Sequence, residues 1–241
     1  MSSFLDAHSH VKENFPFPSI CNGTFPGDWE DLSVLKKRYP DRVFPCYGIH
    51  PWFLEGFDES WFELLKRYLA SGAAGIGEIG LDRAKQKYSM ELQVRVFKAQ
   101  LKIAAAFQLP VSVHCVRAWG QCMEILKEVY IPSGLPFIIH SFTGSAEMMQ
   151  IITKKGGYLT FGPELLKEER QKLREVFIKT PVERLLFETD SESGSKPERS
   201  LILERVYETG AELKGMDTGT LRDIVWENGK IFTDGTPARQ G

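Results

Sequence analysis

The strongest constraint on the fold is the regular alternation of short apolar runs with amphipathic helical stretches along the 241 residues. Eight runs are predicted as strands, at residues 4–10, 19–22, 43–49, 74–79, 110–115, 136–141, 158–161 and 185–190. Helical periodicity fills most of the intervals, at 29–39, 60–70, 90–107, 120–129, 146–155, 164–178 and 198–213. Strands joined through helices pair in parallel, and eight of them predict an α/β fold, a single (β/α)8 TIM barrel. A doubly wound parallel sheet is the structural alternative.

The composition is that of one globular domain. Hydrophobic residues make up 42% and charged residues 26% of the chain, and no repeat or Gly/Ser-rich linker divides it. We therefore expect one domain over residues 1–241. The formal net charge of −2 argues against a polybasic binder of membranes or duplexes, although a local basic patch could still contact nucleic acid.

Neither a membrane anchor nor a disulfide framework is indicated by the sequence. No run approaches the roughly 18 apolar residues of a membrane span, and the first residues lack the pattern of a secretory signal. These features predict a cytoplasmic protein with no membrane contact. The cysteines form no Cys-x-x-Cys pair, and we expect buried, reduced thiols at Cys21, Cys46, Cys115 and Cys122.

The five histidines all fall at the C-terminal ends of predicted strands, at His8, His10, His50, His114 and His140. In a β/α barrel this end carries the active site, because the loops that follow the strands converge there. One histidine at such a position is more often a core residue with a hydrogen-bond partner, but five of five indicate a common site. Neutral imidazoles that converge on one point are typical ligands of divalent metals.

Three carboxylates extend this pattern. Asp6, His8 and His10 alternate, so we expect their side chains to leave one face of the first strand. Glu78 and Asp190 follow apolar sequence at the ends of the fourth and eighth predicted strands. A buried carboxylate without a partner is costly, and metal coordination removes that cost. For either residue alone, an ion pair or a helix cap is the alternative.

Six short motifs follow one another along the chain. They are Asp-Ala-His-Ser-His (6–10), Gly-Ile-His-Pro (48–51), Gly-Glu-Ile-Gly-Leu-Asp (77–82), Leu-Pro-Val-Ser-Val-His (109–114), His-Ser-Phe-Thr-Gly-Ser (140–145) and Glu-Thr-Asp-Ser (188–191). In this order they resemble the TatD family of metal-dependent deoxyribonucleases, within the amidohydrolase-like superfamily. The first motif alone marks many barrel hydrolases, whereas six in order are specific.

The resemblance implies two divalent metal ions, Mg²⁺, Mn²⁺ or Zn²⁺, as cofactors. By position in the motifs, one ion would be held by His8, His10, Glu78 and Asp190. The second would be held by Glu78, His114 and His140, with Glu78 as the bridge. Many superfamily members bridge instead with a carboxylated lysine on the fourth strand, but residues 74–79 contain no lysine.

Two further roles complete the expected catalytic set of Glu78, Asp190 and His50. Asp190 is the candidate for orienting the attacking water and taking its proton. His50 is no metal ligand in the family pattern, and we expect it to contact the scissile phosphate or the leaving group. A purely structural hydrogen bond is the alternative for His50.

The departures from the family pattern fall in loops. The chain has His114-Cys-Val-Arg117 where the family has His-x-Arg, and Ser191 where the family has a proline. The loop after Asp82 is also short. All the expected metal ligands are kept, whereas the loops expected to meet substrate differ.

Basic and aromatic residues cluster in the same predicted loops. The basic residues are Lys12, Arg83, Lys85, Lys87, Arg117, Lys196 and Arg199. A cationic rim would attract phosphate, although an ordinary mixed surface is the alternative. Unpaired bases could stack on nearby aromatic rings, or these rings could simply pack helices, at Phe15, Phe17, Trp52, Phe53 and Trp119. The chosen candidates for substrate contact are Trp52, Arg83, Lys85 and Arg117.

We therefore expect a divalent-metal-dependent hydrolase that cleaves phosphodiester bonds, with single-stranded DNA ends as its nucleic-acid partner. The resemblance implies a 3′–5′ exodeoxyribonuclease. Three alternatives stay open. The first is a barrel hydrolase of a small-molecule ester, amide or lactone, and the second hydrolyses the ester bond of aminoacyl-tRNA. The third is a non-catalytic subunit that binds a partner.

Overall fold

A computed structural model describes residues 4–10, 15–85, 87–191 and 197–233, so Lys12 and Lys196 lie outside the described residues. Within these ranges eight parallel strands form one sheet in chain order. The strands are β1 (Asp6–Ser9), β2 (Ser19–Asn22), β3 (Val43–Tyr47), β4 (Gly75–Asp82), β5 (Val111–Val116), β6 (Phe137–Ile139), β7 (Gly157–Phe161) and β8 (Leu185–Phe187). The helices are α1 (Pro26–Arg38), α2 (Ser60–Ala70), α3 (Met90–Phe107), α4 (Trp119–Val129), α5 (Ala146–Lys154), α6 (Gln171–Lys179), α7 (Pro197–Lys214) and α8 (Thr218–Thr233).

The sheet closes on itself just beyond β1 and β8. The backbone N–H of Asp190 donates to the carbonyl of His8 at 3.1 Å, and the N–H of His10 donates to the carbonyl of Ser191 at 2.9 Å. These bonds join the first and last strands at the end where the histidines lie. The predicted TIM barrel is thereby confirmed, and the doubly wound sheet is excluded.

Local sequence explains why the helices form where they do. Ser89 caps the start of α3, because its hydroxyl accepts the N–H of Leu92. Gln108 caps the end of the helix and adopts a left-handed φ of 54°. The buried face of α3 carries Val96, Phe97, Gln100, Leu101 and Ala104, the 3–4 residue spacing of an amphipathic helix. Strong periodicity of this kind gave matching bounds for α2 and α3.

The helices of the structure differ from the predicted ones at two places. The predicted helix at 164–178 divides into a 3-10 turn, Pro163–Leu166, and α6. The divide falls at the charged run 167–170, where the carboxylate of Glu164 accepts from Lys167 and Arg170. Helix α8 was not predicted, although Asp217 caps its first turn by accepting the N–H of Thr220 at 2.9 Å.

The described residues bear out the expectation for the cysteines. The four cysteines are buried and unpaired with one another, as predicted. Burial raises the pKa of the Cys21 thiol to about 12, which keeps it protonated and unreactive at neutral pH. None of the helices in the described ranges is both long enough and apolar enough to cross a membrane.

Candidate metal centre

The carboxylate of Glu78 lies at the centre of the histidine cluster. Its Oε2 atom lies 3.4 Å from Nε2 of His8 and 3.1 Å from Nε2 of His10. Its Oε1 atom lies 2.7 Å from Nδ1 of His114 and 2.7 Å from Nε2 of His140. Nε2 of His50 also lies 3.2 Å from Oε1. The two oxygens of one carboxylate therefore face different sets of imidazoles, as a bridging ligand requires.

The nitrogens within each pair are also close together. Nε2 of His8 and Nε2 of His10 are 3.2 Å apart, and Nδ1 of His114 lies 3.1 Å from Nε2 of His140. The rings of His8 and His140 stack with centroids 4.0 Å apart, so the two pairs form one compact cluster.

Asp190 lies at the open edge of this cluster. Its Oδ1 atom is 3.9 Å from Nε2 of His8 and also 3.9 Å from Nε2 of His10, and its side chain is 43% exposed. Its backbone is left-handed, as it is at Arg117 and Ser141, with φ of 50°, 51° and 45°. Each of these residues follows a strand at the catalytic end of the barrel, where strained backbone is typical of functional sites.

Glycine allows β4 and β5 to approach closely beside the cluster. A side chain at Gly80 would place its Cβ only 1.9 Å from the carbonyl oxygen of His114, and φ at Gly80 is 150°. No residue with a side chain fits there. The second glycine of Gly-Glu-Ile-Gly thus lets Glu78 and His114 come within contact distance.

The remaining ring nitrogens of His10 and His8 are held by neighbouring groups. Nδ1 of His10 donates to the carbonyl of Asn22 at 2.8 Å. Nδ1 of His8 lies 3.1 Å from the hydroxyl of Ser112 and 3.1 Å from the side-chain amide of Asn22. Such partners fix the orientation of a ligand ring and the nitrogen that carries its proton.

His114 is held by Asp82, a residue that the sequence analysis did not select for the site. Nε2 of His114 donates to Oδ2 of Asp82 at 3.1 Å, and the same oxygen accepts the indole N–H of Trp52 at 2.8 Å. Its other oxygen accepts the backbone N–H groups of Ala84 and Lys85, each at 2.7 Å. The signal was available, because Asp82 ends both β4 and the motif that contains Glu78.

His140 faces a second buried carboxylate. Its Nδ1 atom lies 3.9 Å from Oε1 of Glu188, and within the described residues neither atom has a hydrogen-bond partner. The other oxygen of Glu188 accepts from Thr160. Burial, assisted by the charge of Asp190, raises the pKa of Glu188 well above its ordinary value.

Charge in the cluster is shared between Glu78 and the rings. Burial acts to raise the pKa of Glu78, but the surrounding imidazoles hold it well below its ordinary value. Burial likewise acts to lower the pKa of His10 and of His114, yet their bonds to Glu78 and, for His114, to Asp82 raise both to about 9. Metal binding near neutral pH must therefore displace protons from these rings.

The donor set fits divalent metal ions. Four imidazole nitrogens and a shared carboxylate lie within a few ångströms of one another. Imidazole nitrogens suit transition-metal ions, whereas Ca²⁺ is bound by oxygen ligands. Three overlapping groups of the described residues have the spacing of a metal site: His8, His10 and Glu78; His50, Glu78 and His114; and His8, His140 and Glu188. The anchored outer nitrogens add the support that metal sites usually have.

Asp82→Asn is expected to weaken metal binding about 10- to 100-fold, because asparagine replaces the charged acceptor that orients His114. Metal titration of the dialysed protein measures this, with the exposed Asp58→Asn as the matched control. A metal affinity equal in the two variants would contradict the role given to Asp82.

The candidate substrate contacts lie at the rim. Arg83, Lys85 and Arg117 are exposed, and Arg83 donates to the side chain of Gln121 at 3.1 Å. The ammonium group of Lys85 lies 3.8 Å from the ring centroid of Trp52. One face of Trp52 is thereby covered, and its indole N–H is held by Asp82.

Asp6 does not join the cluster, contrary to our expectation from the alternation of Asp6, His8 and His10. The register of β1 against β2 shifts between Asp6 and Ser9, so the two-residue period is broken. The carboxylate of Asp6 instead accepts from Thr189, from the backbone N–H at 2.9 Å and the hydroxyl at 2.6 Å.

Arg199 was predicted in the cationic rim, and that prediction was wrong. It is only 5% exposed, and its Nη2 atom lies 2.7 Å from Oδ2 of Asp6. The same nitrogen donates to the hydroxyl of Ser19 at 3.0 Å, and the guanidinium lies over the ring of Phe17. Arg199 ties α7 to the barrel and faces no substrate.

The aromatic candidates divide by burial. Phe15 and Phe17 are buried, and Trp119 is half-buried against Phe142. Phe53 is 39% exposed and stacks on Phe25, a residue that sequence analysis missed. No local pattern marked Phe25, because it precedes α1 and meets Phe53 only across the loop that follows β3.

A cavity of about 410 Å³ opens from the cluster to solvent. The residues that line it include the cluster residues His10, His50, Glu78, His114, His140 and Asp190, together with Phe25, Asp28, Asp31 and Phe53. The cluster therefore faces a cleft that is large enough for part of a substrate.

The sequence of the chain is similar to that of known metal-dependent hydrolases and nucleases. The model of the TatD-related DNase family matches residues 6–233. A protein of Erwinia tasmaniensis named 3′-5′ ssDNA/RNA exonuclease TatD is 30% identical over 214 residues, which cover 84% of this chain and 82% of the relative. The metal-dependent hydrolase YabD of Bacillus subtilis is 32% identical over 198 residues, 79% and 77% of the two chains.

Solved structures agree in fold. The crystal structure of YjjV, a TatD homologue of Escherichia coli, has a TM-score of 0.85 at 23% identity and covers 96% of this chain and 98% of that chain. A TatD-family hydrolase of Entamoeba histolytica has a TM-score of 0.83 at 18% identity, with 98% and 99% covered. At these identities the likeness supports the barrel fold alone.

Proposed function

The chain belongs to the TatD-related DNase family of metal-dependent hydrolases, and on that premise we propose that it is a 3′–5′ exonuclease acting on single-stranded DNA ends. The observation that carries the proposal is the position of Glu78, whose Oε2 faces His8 and His10 while its Oε1 faces His114, His140 and His50. The relatives named as exonucleases support the choice of substrate.

We assign two metal positions to this chain. His8, His10, Glu78 and Asp190 would hold one ion, and Glu78, His114 and His140 the other. When bound, such a pair supplies Lewis-acid chemistry, which lowers the pKa of water and neutralises charge on phosphoryl oxygens. Mn²⁺ and Zn²⁺ suit the imidazole donors best.

We assign Asp190 as the group that accepts the proton of the attacking water. It has the most exposed side chain of the assigned ligands, so it can reach a water on the solvent side of the cleft. Burial, together with the charge of Glu78, raises its pKa, which makes it a better base than an ordinary aspartate.

His50 is assigned as a hydrogen-bond donor to the scissile phosphate or the leaving group. Its Nδ1 atom accepts the backbone N–H of Trp52 at 3.1 Å, so in the neutral ring Nε2 carries the proton. That Nε2 atom lies 3.2 Å from Oε1 of Glu78 and faces the cleft. Burial lowers the pKa of His50 to about 4, so the ring is neutral near pH 7.

His50→Ala is expected to lower kcat by about 10²- to 10³-fold, the usual cost of losing one donor to a developing charge. Metal content after dialysis should stay at the level of the unsubstituted protein, because His50 is no ligand. A variant that loses metal together with activity would make His50 a ligand and would contradict this assignment.

The rim residues Arg83, Lys85 and Arg117 are assigned to the phosphates of the substrate. Their charges lie on the loops after β4 and β5, next to the strands that carry Glu78 and His114. Exposed cations attract a polyanion without fixing its sequence. Single substitutions to glutamine should raise KM and reduce its dependence on salt.

The decisive experiment is a gel assay with end-labelled single-stranded DNA in Mg²⁺ or Mn²⁺. We expect progressive shortening that stops with a chelator and returns when metal is restored. Label at the 5′ end should yield a ladder, whereas label at the 3′ end should be released at once as mononucleotide. The opposite label pattern would reverse the polarity.

The same preparation tests the other functions. Intact DNA under every metal, with release of an amino acid from charged tRNA, would replace the nuclease proposal with deacylation. Turnover of a small ester or lactone that is insensitive to neutralising Arg83, Lys85 and Arg117 would indicate a small-molecule hydrolase. Failure of the dialysed protein to bind any divalent metal would overturn the metal assignment as well.

A further inference from the structure

Two exposed phenylalanines stand at the mouth of the catalytic cavity. Phe25 is 38% exposed and Phe53 is 39% exposed, and both line the cavity that contains Glu78. Their rings lie nearly parallel, at 20°, with centroids 5.6 Å apart. Large apolar rings in solvent have a cost that a ligand would remove, and here two of them are stacked next to the reacting centre.

A continuous series of ring contacts links this pair to the metal centre. The ring centroids of Phe53 and His50 are 5.8 Å apart, and those of His50 and His114 are 4.5 Å apart. His50 and His114 both contact Glu78. A group held at Glu78 is therefore separated from the phenylalanine pair by the width of one histidine ring.

The charge of the cavity wall selects what can occupy this end. Asp28 and Asp31 of α1 line the cavity beside Phe25, and Oδ2 of Asp28 is held there by the backbone and hydroxyl of Thr24 at 2.8 and 2.7 Å. These carboxylates repel phosphate. The ammonium group of Lys85 lies over the ring of Trp52. The part of the cavity next to Phe25 is thus aromatic and acidic.

We propose that Phe25 and Phe53 form a stacking platform for the unpaired nucleobase next to the scissile phosphate. This inference rests on the proposed nuclease function and gives it a physical basis for selecting single strands. Stacking on a phenyl ring tolerates every base, because each base has a π-face, but it requires a base that is free of its partner strand. A paired end must first unstack before it can reach the platform.

Trp52 is excluded from this role by its own contacts. One face of its ring is covered by Lys85, its indole N–H is bonded to Asp82, and its edge meets His50. Stacking a base on Trp52 would first have to displace Lys85. Among the described residues, neither Phe25 nor Phe53 has a cation over its ring, and the ring contacts of Phe53 are with Phe25 and His50.

The test uses the metal-free full-length protein and a fluorescent single-stranded oligodeoxynucleotide, so that binding is measured without turnover. Phe25→Ala and Phe53→Ala are each expected to weaken binding and raise Kd by about 5- to 100-fold, the usual effect of losing one stacked base. Phe107→Ala is the matched control. Phe107 is 37% exposed but ends α3, at the opposite end of the barrel. Equal Kd values for all three variants and the unsubstituted protein, or no binding by any of them, would overturn the proposal.

Two further comparisons separate stacking from general packing. Phe53→Tyr keeps a planar ring and should bind like the unsubstituted protein, whereas Phe53→Leu keeps only apolar volume and should bind like Phe53→Ala. An oligonucleotide without its terminal base should bind the unsubstituted protein as weakly as Phe53→Ala binds the intact strand. Stacking would be contradicted by an unchanged Kd for Phe53→Leu. It would also be contradicted if Phe53→Ala bound the oligonucleotide without its terminal base more weakly than it binds the intact strand.

Failure of this inference is distinguishable from failure of the proposed function. If the loaded protein shortens DNA while the phenylalanine variants bind normally, the nuclease stands and the platform does not. If the loaded protein leaves DNA intact, the nuclease proposal fails, and the platform fails with it.

Discussion

Glu78→Gln is expected to abolish metal-dependent hydrolysis and to weaken divalent-metal binding by more than about 10³-fold. Removing a group that only orients a metal ligand already lowers metal affinity by about 10- to 100-fold. Glu78 is assigned to both metal positions at once, so a larger loss is expected. The substitution keeps the size of the side chain but removes the charge that five imidazole nitrogens face at 2.7 to 3.4 Å. Metal content after dialysis and the rate of DNA shortening measure the two effects.

The control for Glu78→Gln is Glu63→Gln, in which the exposed glutamate of a surface ion pair with Lys66 loses the same charge. That variant should keep its metal and its rate. Thermal unfolding of both variants checks that the barrel is intact. If Glu78→Gln kept its metal content and its rate, the bridging role would be wrong.

Arg199→Met is expected to lower the free energy of unfolding by about 3–5 kcal/mol, because it leaves the carboxylate of Asp6 buried without its partner. For a chain of this size that corresponds to a fall in Tm of about 6–20 °C. Arg199 is 5% exposed and Asp6 is fully buried, so water cannot replace the lost partner. Thermal or denaturant unfolding measures the change.

The double variant Asp6→Asn with Arg199→Met makes this prediction specific. Once the buried charge is gone as well, most of the lost stability should return. The control is Arg170→Met, which removes an exposed partner of Glu164 and should change stability by less than about 0.5 kcal/mol. Equal losses for Arg199→Met and Arg170→Met would show that burial of the pair is unimportant.

The local sequence predicted the barrel because each of its signals acts over a few residues. A run of apolar residues followed by an amphipathic helix is recognisable without any knowledge of its neighbours, and seven such units after the first strand predict parallel pairing. The positions of His8, His50, His114 and His140 at strand ends then placed them at one end of the barrel. Helix α8 was missed although the same kind of signal, a cap at Asp217, was present.

The site required contacts that the order of residues does not contain. The two-residue period placed Asp6 beside His8, but a register shift turned its carboxylate toward Arg199 and removed both from the surface. In the sequence, Asp82 is recognisable only as the last residue of a motif. The packing of β4 against β5 brings its carboxylate to His114.

The sequence by itself therefore determined the barrel and the position of the histidines at one end of it, since periodicity and residue type are local properties. The set of groups assigned to metal came from the resemblance of its motifs to the TatD family. The tertiary structure alone decided which carboxylate contacts which ring, that Arg199 is a buried structural partner, and that Phe25 meets Phe53 at the cleft. Those outcomes depend on the register of neighbouring strands and on loops that meet across the barrel. Contacts between residues distant in sequence are set by how the whole chain packs, and no short segment encodes them.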